Sequence, residues 1–256
     1  MRYLKMETAN HTTVTEEENK RLKGLGFLNN KGTDCFSARI ITGNGRITSD
    51  QLRKLADAAD KYGDGKVVCT TRLTVEMPGI PYEQIDAFSK ALSDAGMETG
   101  GTGPKVRPVV SCKGTTCKFG QIDTYAVSEE IHERFYKGWH NITLPHKFKI
   151  AVGGCPNNCV KPNLNDIGIM GWRGGYKIFI GGRWGKQHAI AQPLNKHFTE
   201  KEEVMQIIEK ALLLFKEQGN QGERFSQMID RIGFDAVEAQ LLSDEILERK
   251  AEILAQ

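Results

Sequence analysis

The chain has 256 residues, 39% hydrophobic and 26% charged, which is the balance of a folded globular protein and excludes a disordered one. Its 35 basic and 32 acidic residues leave a net charge of +3, too little to argue for nucleic acid or an acidic membrane surface. No apolar run approaches the roughly 20 residues of a membrane-spanning helix, and the polar residues 1–30 lack the apolar segment of a secretory signal, so the expectation is a cytoplasmic protein with reduced thiols, no membrane span and no nucleic-acid partner.

Residues 1–30, with Glu16-Glu17-Glu18 and Lys20-Arg21-Leu22-Lys23, read as a mobile or helical leader. Phe36 to Ile41 reads as a strand that ends at the turn Gly43-Asn44-Gly45. Leu52, Leu55, Ala56 and Ala59 recur at helical spacing and predict a helix from Ser49 to Tyr62, capped by Ser49 or Asp50. Lys66 to Met77 predicts a second strand, and Pro81 to Ala95 a second helix with Ile85, Phe88, Ala91 and Leu92 on one face. Strand, helix, strand, helix in this order predicts an α+β, ferredoxin-like layer over residues 31–100.

Thr99-Gly100-Gly101-Thr102-Gly103-Pro104 reads as a linker, and its glycine spacing does not fit a dinucleotide-binding loop. A second α+β region follows over residues 101–198. Its predicted elements are strands at Val106 to Ser111 and Phe148 to Val152, a helix at Ser128 to Tyr136, and a hairpin of Ile167 to Gly171 with Tyr176 to Ile180. Residues 199–256 read as a helical tail, with an apolar stripe of Val204, Ile207, Ile208, Ala211, Leu212 and Phe215 whose plain role is packing, without chemistry.

Six cysteines are present. Cys35 and Cys69 stand alone and read as packing residues. The other four form two close pairs, Cys112-x4-Cys117 and Cys155-x3-Cys159, separated by 38 residues from Cys117 to Cys155. In a reducing compartment such pairs more often bind a metal or a cluster than form disulfides. Two separated loops suit the four thiolates of an iron–sulfur cube, and Gly153-Gly154 before Cys155, with Pro156 after it, would let the backbone approach a bulky group. Spacing alone leaves a four-thiolate zinc site equally open.

Basic residues flank these loops. In Lys147-Phe148-Lys149-Ile150-Ala151-Val152 the two lysines share one strand face, opposite Phe148, Ile150 and Val152. Arg107 precedes Cys112 by five positions, and Arg39 sits within a half-buried strand. Each alone reads as a solvated face; together they read as an anion site. His146 could supply protons or be structural.

Cys155-x3-Cys159, six residues, then Asp166-Ile167-Gly168-Ile169 resembles the signature of the sirohaem- and 4Fe–4S-containing nitrite and sulfite reductases. Ala38-Arg39-Ile40, Gly45-Arg46-Ile47-Thr48 and Thr70-Thr71-Arg72 resemble the ferredoxin-like half of that family; Val106-Arg107-Pro108 and Leu144 to Lys149 resemble its arginine and paired-lysine segments. The first cysteine pair has four intervening residues where the family commonly has five, and Gly153 stands where Ser, Thr or Val is usual. A single copy of the unit is present, so the chain resembles the compact or subunit-type members, such as the C subunit of anaerobic sulfite reductase.

The resemblance implies the following. Cys112, Cys117, Cys155 and Cys159 ligate a 4Fe–4S cluster, and Cys159 also bridges to the sirohaem iron. Arg39, Arg107, Lys147 and Lys149 surround the open face of that iron, while Thr71, Arg72, Asn157 and Asn158 help hold the macrocycle. The second region, 101–198, is then a sirohaem/4Fe–4S-binding domain. The implied reaction is six-electron reduction of sulfite to sulfide, with nitrite to ammonia at the same site as the alternative and a non-catalytic 4Fe–4S electron carrier as a further one. Lacking a flavin or nicotinamide motif, the chain is expected to draw electrons from a ferredoxin or flavoprotein subunit, and to pair with itself or with another subunit.

Overall fold

The computed structural model describes residues 14–255, and the chain divides between Thr102 and Gly103 into two units. The reading of residues 1–30 as a leader without a signal segment falls partly on residues 1–13, outside the described residues.

In the first unit, helix α1 (Glu16–Gly24) forms where charge favours it: Thr15 caps the start, Glu16, Glu17 and Glu18 fill the first turn, and Arg21 and Lys23 the last. Strands β1 (Phe27–Asn29) and β2 (Cys35–Ile40) follow, so part of the expected leader is a strand. Helix α2 (Ser49–Tyr62) has the predicted bounds but a different cap. Thr48, not Ser49 or Asp50, is extended; its hydroxyl accepts the Gln51 N–H at 3.2 Å while Gln51 accepts the Thr48 N–H at 3.0 Å.

The expected strand from Lys66 to Met77 is two strands, β3 (Val68–Cys69) and β4 (Val75–Pro81). Between them Leu73 is left-handed, at φ 59°, and the Thr70 and Thr74 hydroxyls meet at 2.7 Å, which closes a tight turn that a strand cannot traverse. Helix α3 (Ile85–Asp94) starts later than Pro81, because Pro81 ends β4 and a 3-10 turn, Tyr82–Gln84, intervenes.

The sheet order is β1-β2-β4-β3, antiparallel throughout. Part of the expected linker joins it: Thr99 bridges to Ile40, and the Gly100 N–H donates to the Arg39 carbonyl at 3.0 Å. The core packs Phe36, Ile40 and Met77 of the sheet against Leu55 of α2 and Phe88 and Leu92 of α3. Cys35 is half-buried at the start of β2, whereas Cys69 is exposed on the edge strand β3 and so is not a core packing residue.

In the second unit, β5 (Val110–Ser111), β6 (Ile150–Gly153), β7 (Ile167–Trp172), β8 (Gly175–Ile180) and β9 (Gln192–Pro193) form one sheet in that order. The first three strands run parallel and the rest antiparallel. The β7–β8 turn places Arg173 and Gly174 at φ 49° and 77°, the primed-turn geometry that matches strand twist. Helix α4 (Thr124–Ile131) begins before the expected Ser128 because the Asp123 carboxylate caps it, accepting the Tyr125 and Ala126 N–H groups at 3.1 and 3.0 Å. It continues as a π-helical turn, His132–Lys137.

The tail forms α5 (Lys201–Gln218), α6 (Phe225–Ile232), α7 (Phe234–Leu242), α8 (Glu245–Glu248) and α9 (Lys250–Ala255). Its apolar stripe is buried in the same core as Ile150, Val152, Ile167, Ile169 and Ile178. Each such side chain contributes about 1.5–3 kcal/mol on full burial. Phe148, between the two lysines, lies 5.7 Å from Phe215 and 5.2 Å from Phe225, so the tail anchors the segment that carries them. Among the described residues no helix is long and apolar enough to cross a membrane.

Candidate active site

Because β5 and β6 are parallel, their C-terminal ends lie side by side, and a cysteine loop leaves each. Cys112 follows β5, and its N–H extends the ladder to the Val152 carbonyl at 3.1 Å. The loop then makes a short 3-10 turn, Gly114–Thr116, pinned by Thr124, whose hydroxyl donates to the Cys112 carbonyl at 2.8 Å. The second loop leaves β6 through Gly154, whose N–H donates to the Cys112 sulfur at 3.2 Å. The two loops touch backbone to backbone. A Cβ on Gly154 would lie 2.8 Å from Gly114 Cα, and one on Gly114 would lie 2.6 Å from Thr124 Cγ2, so neither position has room for a side chain. Cys112, Cys117 and Cys155 are half-buried and Cys159 is exposed.

These residues fit an iron–sulfur cluster. The donor set is all sulfur, and one thiolate already accepts a backbone N–H, the contact that tunes cluster sulfurs. Among the described residues no group of three or more His, Cys, Asp or Glu side chains is placed to hold a single metal ion. Asn158, left-handed at φ 57° in the second loop, donates through Nδ2 to Asn163 at 3.0 Å, while its buried Oδ1 has no hydrogen-bond partner. An oriented, unused acceptor between Cys155 and the chain's return suits a polar group of a bound cofactor. Asn157 is exposed in the same loop.

The basic residues gather at the other end of β6. Val106 bridges to Phe148 in parallel register, with both side chains in the core, which puts Arg107 and Lys149 on the opposite face with Lys147. The Arg107 N–H donates to the Phe148 carbonyl at 2.8 Å. Burial lowers the Lys147 pKa below the usual lysine value, and the charges of Arg224, Arg107 and Arg183 push it further down, against Asp166 alone. His146 is lowered by burial and by Lys147, Arg224, Arg107 and Arg183, and its Nδ1 accepts the Lys147 N–H at 2.8 Å. Asp166 is fully buried; it accepts the Lys149 N–H at 2.8 Å and two contacts from Arg224 Nη2 at 2.9 and 2.7 Å. Burial pushes its carboxyl upward, and Arg224 and these hydrogen bonds pull it back.

Arg39, Thr71 and Arg72 belong to the first unit. Arg39 donates to Glu76 from Nε at 2.9 Å and Nη2 at 2.6 Å, and to the Gly101 carbonyl at 3.1 Å. Thr71 and Arg72 occupy the turn between β3 and β4. Reading the sequence did not find Arg183 or Arg224. The only local signal for Arg183 is the preceding Gly181-Gly182, and for Arg224 a lone charge just before an apolar helix.

Two family models match the chain: the nitrite and sulphite reductase 4Fe-4S domain over residues 102–250, and the nitrite/sulfite reductase ferredoxin-like half domain over residues 29–95. The chain is 32% identical to the NAD(P)H nitrite reductase of Bacillus subtilis over 203 residues, 78% of this chain and 24% of the relative. It is 34% identical to the coenzyme F420-dependent sulfite reductase of Methanocaldococcus jannaschii over 141 residues, 55% of this chain and 22% of the relative. It thus spans less than a quarter of the length of either relative. The fold matches that of Mycobacterium tuberculosis NirA, with a TM-score of 0.80 at 20% identity over 92% of this chain and 48% of that one. It also matches dissimilatory sulfite reductase I, with a TM-score of 0.73 at 16% identity over 81% of this chain and 69% of that one. With both halves matched in order over a mixed α+β fold, the chain belongs to the nitrite and sulphite reductase family of oxidoreductases, whose cofactors are sirohaem and a 4Fe–4S cluster.

Proposed function

We propose that the chain carries out the six-electron reduction of sulfite to sulfide. The observation that carries this reading is the cationic face of Arg107, just ahead of β5, and of Lys147 and Lys149, just ahead of β6, with Arg183 after β8 also acting on Lys147; β5 and β6 are the strands that lead into the two cysteine loops. In this reading Cys112, Cys117, Cys155 and Cys159 would hold the cluster, and Cys159, Asn157 and Asn158 would help hold the sirohaem. Of the first unit, Thr71 and Arg72 are assigned to the macrocycle and Arg39 to the anion. When bound, these groups would supply the electron transfer that the reduction needs.

The protein's own residues bind and protonate. Arg107 and Lys149 draw the oxyanion by charge and hydrogen bonding. Lys147, surrounded by like charges and half-buried, gives up a proton more readily than an ordinary lysine, as the departing oxygens leave as water. His146, held neutral by its surroundings, is suited to pass protons rather than to bind the anion.

Nitrite to ammonia is the second reading, favoured by the 32% identity to a nitrite reductase over most of the chain. Electrons come from a separate donor protein, a ferredoxin or flavoprotein subunit, in the cytoplasm, where free thiols persist. The test is anaerobic purification followed by the visible spectrum, iron and sulfide content, and turnover of sulfite and nitrite with a reduced dye. A tetrapyrrole spectrum with faster turnover of sulfite is expected. A chain that binds the cluster without a tetrapyrrole and reduces neither anion is an electron carrier and ends the proposal.

A further inference from the structure

Asp166 ties together three parts of the second unit. Its carboxylate accepts the Lys149 N–H at 2.8 Å, and its carbonyl accepts the Gly181 N–H at 3.0 Å, at the start of the Gly181-Gly182-Arg183 segment. Arg224, at the start of α6, grips the same carboxylate at 2.9 and 2.7 Å. The side chains of Asp166 and Arg224 are 0% and 3% exposed. The Lys149 carbonyl is held as well, by the Ile167 N–H at 3.1 Å, so both of its backbone groups are fixed just as β6 begins.

Stability is a weak reason for such a pair, because desolvating two charges costs about what their attraction returns. A residue that reaches from the tail to the segment carrying the lysines, just ahead of β6, has another use. We propose that Arg224 is a positioning residue for the anion site: through Asp166 it fixes the backbone of Lys149 and so the direction of both lysines toward the substrate. This rests on the reading of Lys147 and Lys149 as anion-binding residues. The direction of the Lys147 pKa agrees, since Arg224 is the first charge acting on it. The charged groups around Lys147 are its neighbour His146, Arg107 ahead of β5, Asp166 ahead of β7, Arg183 after β8 and Arg224 at α6.

Two variants test this. Arg224→Lys keeps the charge and loses the planar fork. Arg224→Gln combined with Asp166→Asn removes both charges and strands neither. Each is loaded with cofactors and compared with the wild type in iron and tetrapyrrole content, in the visible shift on binding sulfite without reductant, and in kcat and KM across pH. The neutral pair is expected to keep its cofactors and lose about 10- to 100-fold in kcat/KM, the range seen when outer partners of a site residue are removed. Its alkaline limb moves to higher pH, because the push of Arg224 on Lys147 outweighs the pull of Asp166. Arg224→Lys recovers part of the loss and leaves the limb in place.

A neutral pair with wild-type kcat/KM and an unmoved limb overturns the proposal, whatever its melting temperature. Loss of cofactor and of thermal stability together in both variants also overturns it, by making the pair structural only. A wild-type holoenzyme inert toward sulfite and nitrite brings down the underlying reading, a failure visible without either variant.

Discussion

Arg39 in the first unit and Lys149 in the second begin alike. Each is half-buried, Arg39 within β2 and Lys149 just ahead of β6, in segments whose alternate residues enter the core. Across β2 and β4, however, Arg39 stands in register with Glu76 and is neutralised by it. Lys149 has Arg107 beside it on the neighbouring segment, and it shares the nearby acid, Asp166, with Arg224. Alternation says which face a charge occupies. The cross-strand neighbour decides whether that charge faces an acid, as Arg39 faces Glu76, or another base, as Lys149 faces Arg107.

The comparison breaks most sharply at the sulfurs. Cys112→Ser or Cys155→Ser is expected to leave the purified protein without iron and sulfide, and turnover at background. Next come the lysines. Replacing Lys147 and Lys149 together by Ala should lower dye-linked turnover by about 10²–10⁴-fold, the range for lost proton transfer, with cofactor content unchanged. Arg39→Gln should lower it less, because Glu76 already holds that charge; equal losses would erase the distinction between the two strands.

Glycines give a smaller contrast. Gly114→Ala puts a methyl group against Thr124 and the Gly154 backbone and should cost about 1–3 kcal/mol in thermal or denaturant melts. Gly24→Ala, at the end of α1 with open space around it, should be neutral or slightly stabilising. Smallest is a pH effect. His146 has a lowered pKa in the fold, so the unfolded chain binds more protons below the ordinary histidine value, and stability falls as pH drops through that window. His146→Gln should flatten this acid-side slope; an unchanged slope would assign it to other groups.

Local pattern accounted for much of this. The helical spacing around Leu55 and Ala59 bounded α2, the two apolar runs foretold the β7–β8 hairpin, and the alternation from Lys147 to Val152 matched the burial of Phe148, Ile150 and Val152. Those features depend on periods of two or 3.6 residues, which a sequence displays directly. The spacing of the cysteines showed that a metal or cluster was at stake. It left zinc against iron–sulfur open, because spacing does not say how far apart the sulfurs end up.

Tertiary structure decided the rest. That Thr99 and Gly100 join the edge of a sheet depends on β2, far away in sequence. That Arg39 is neutralised depends on a residue 37 positions later, and that Lys149 is braced depends on an arginine 58 residues beyond Asp166. Electrostatic and hydrogen-bond partners act through space over a few ångströms, and only the folded chain brings such distant residues that close. The sequence by itself determined most of the elements, the thiol pairs and the alternation of the charged segment; the fold decided which charged partner each of those residues meets.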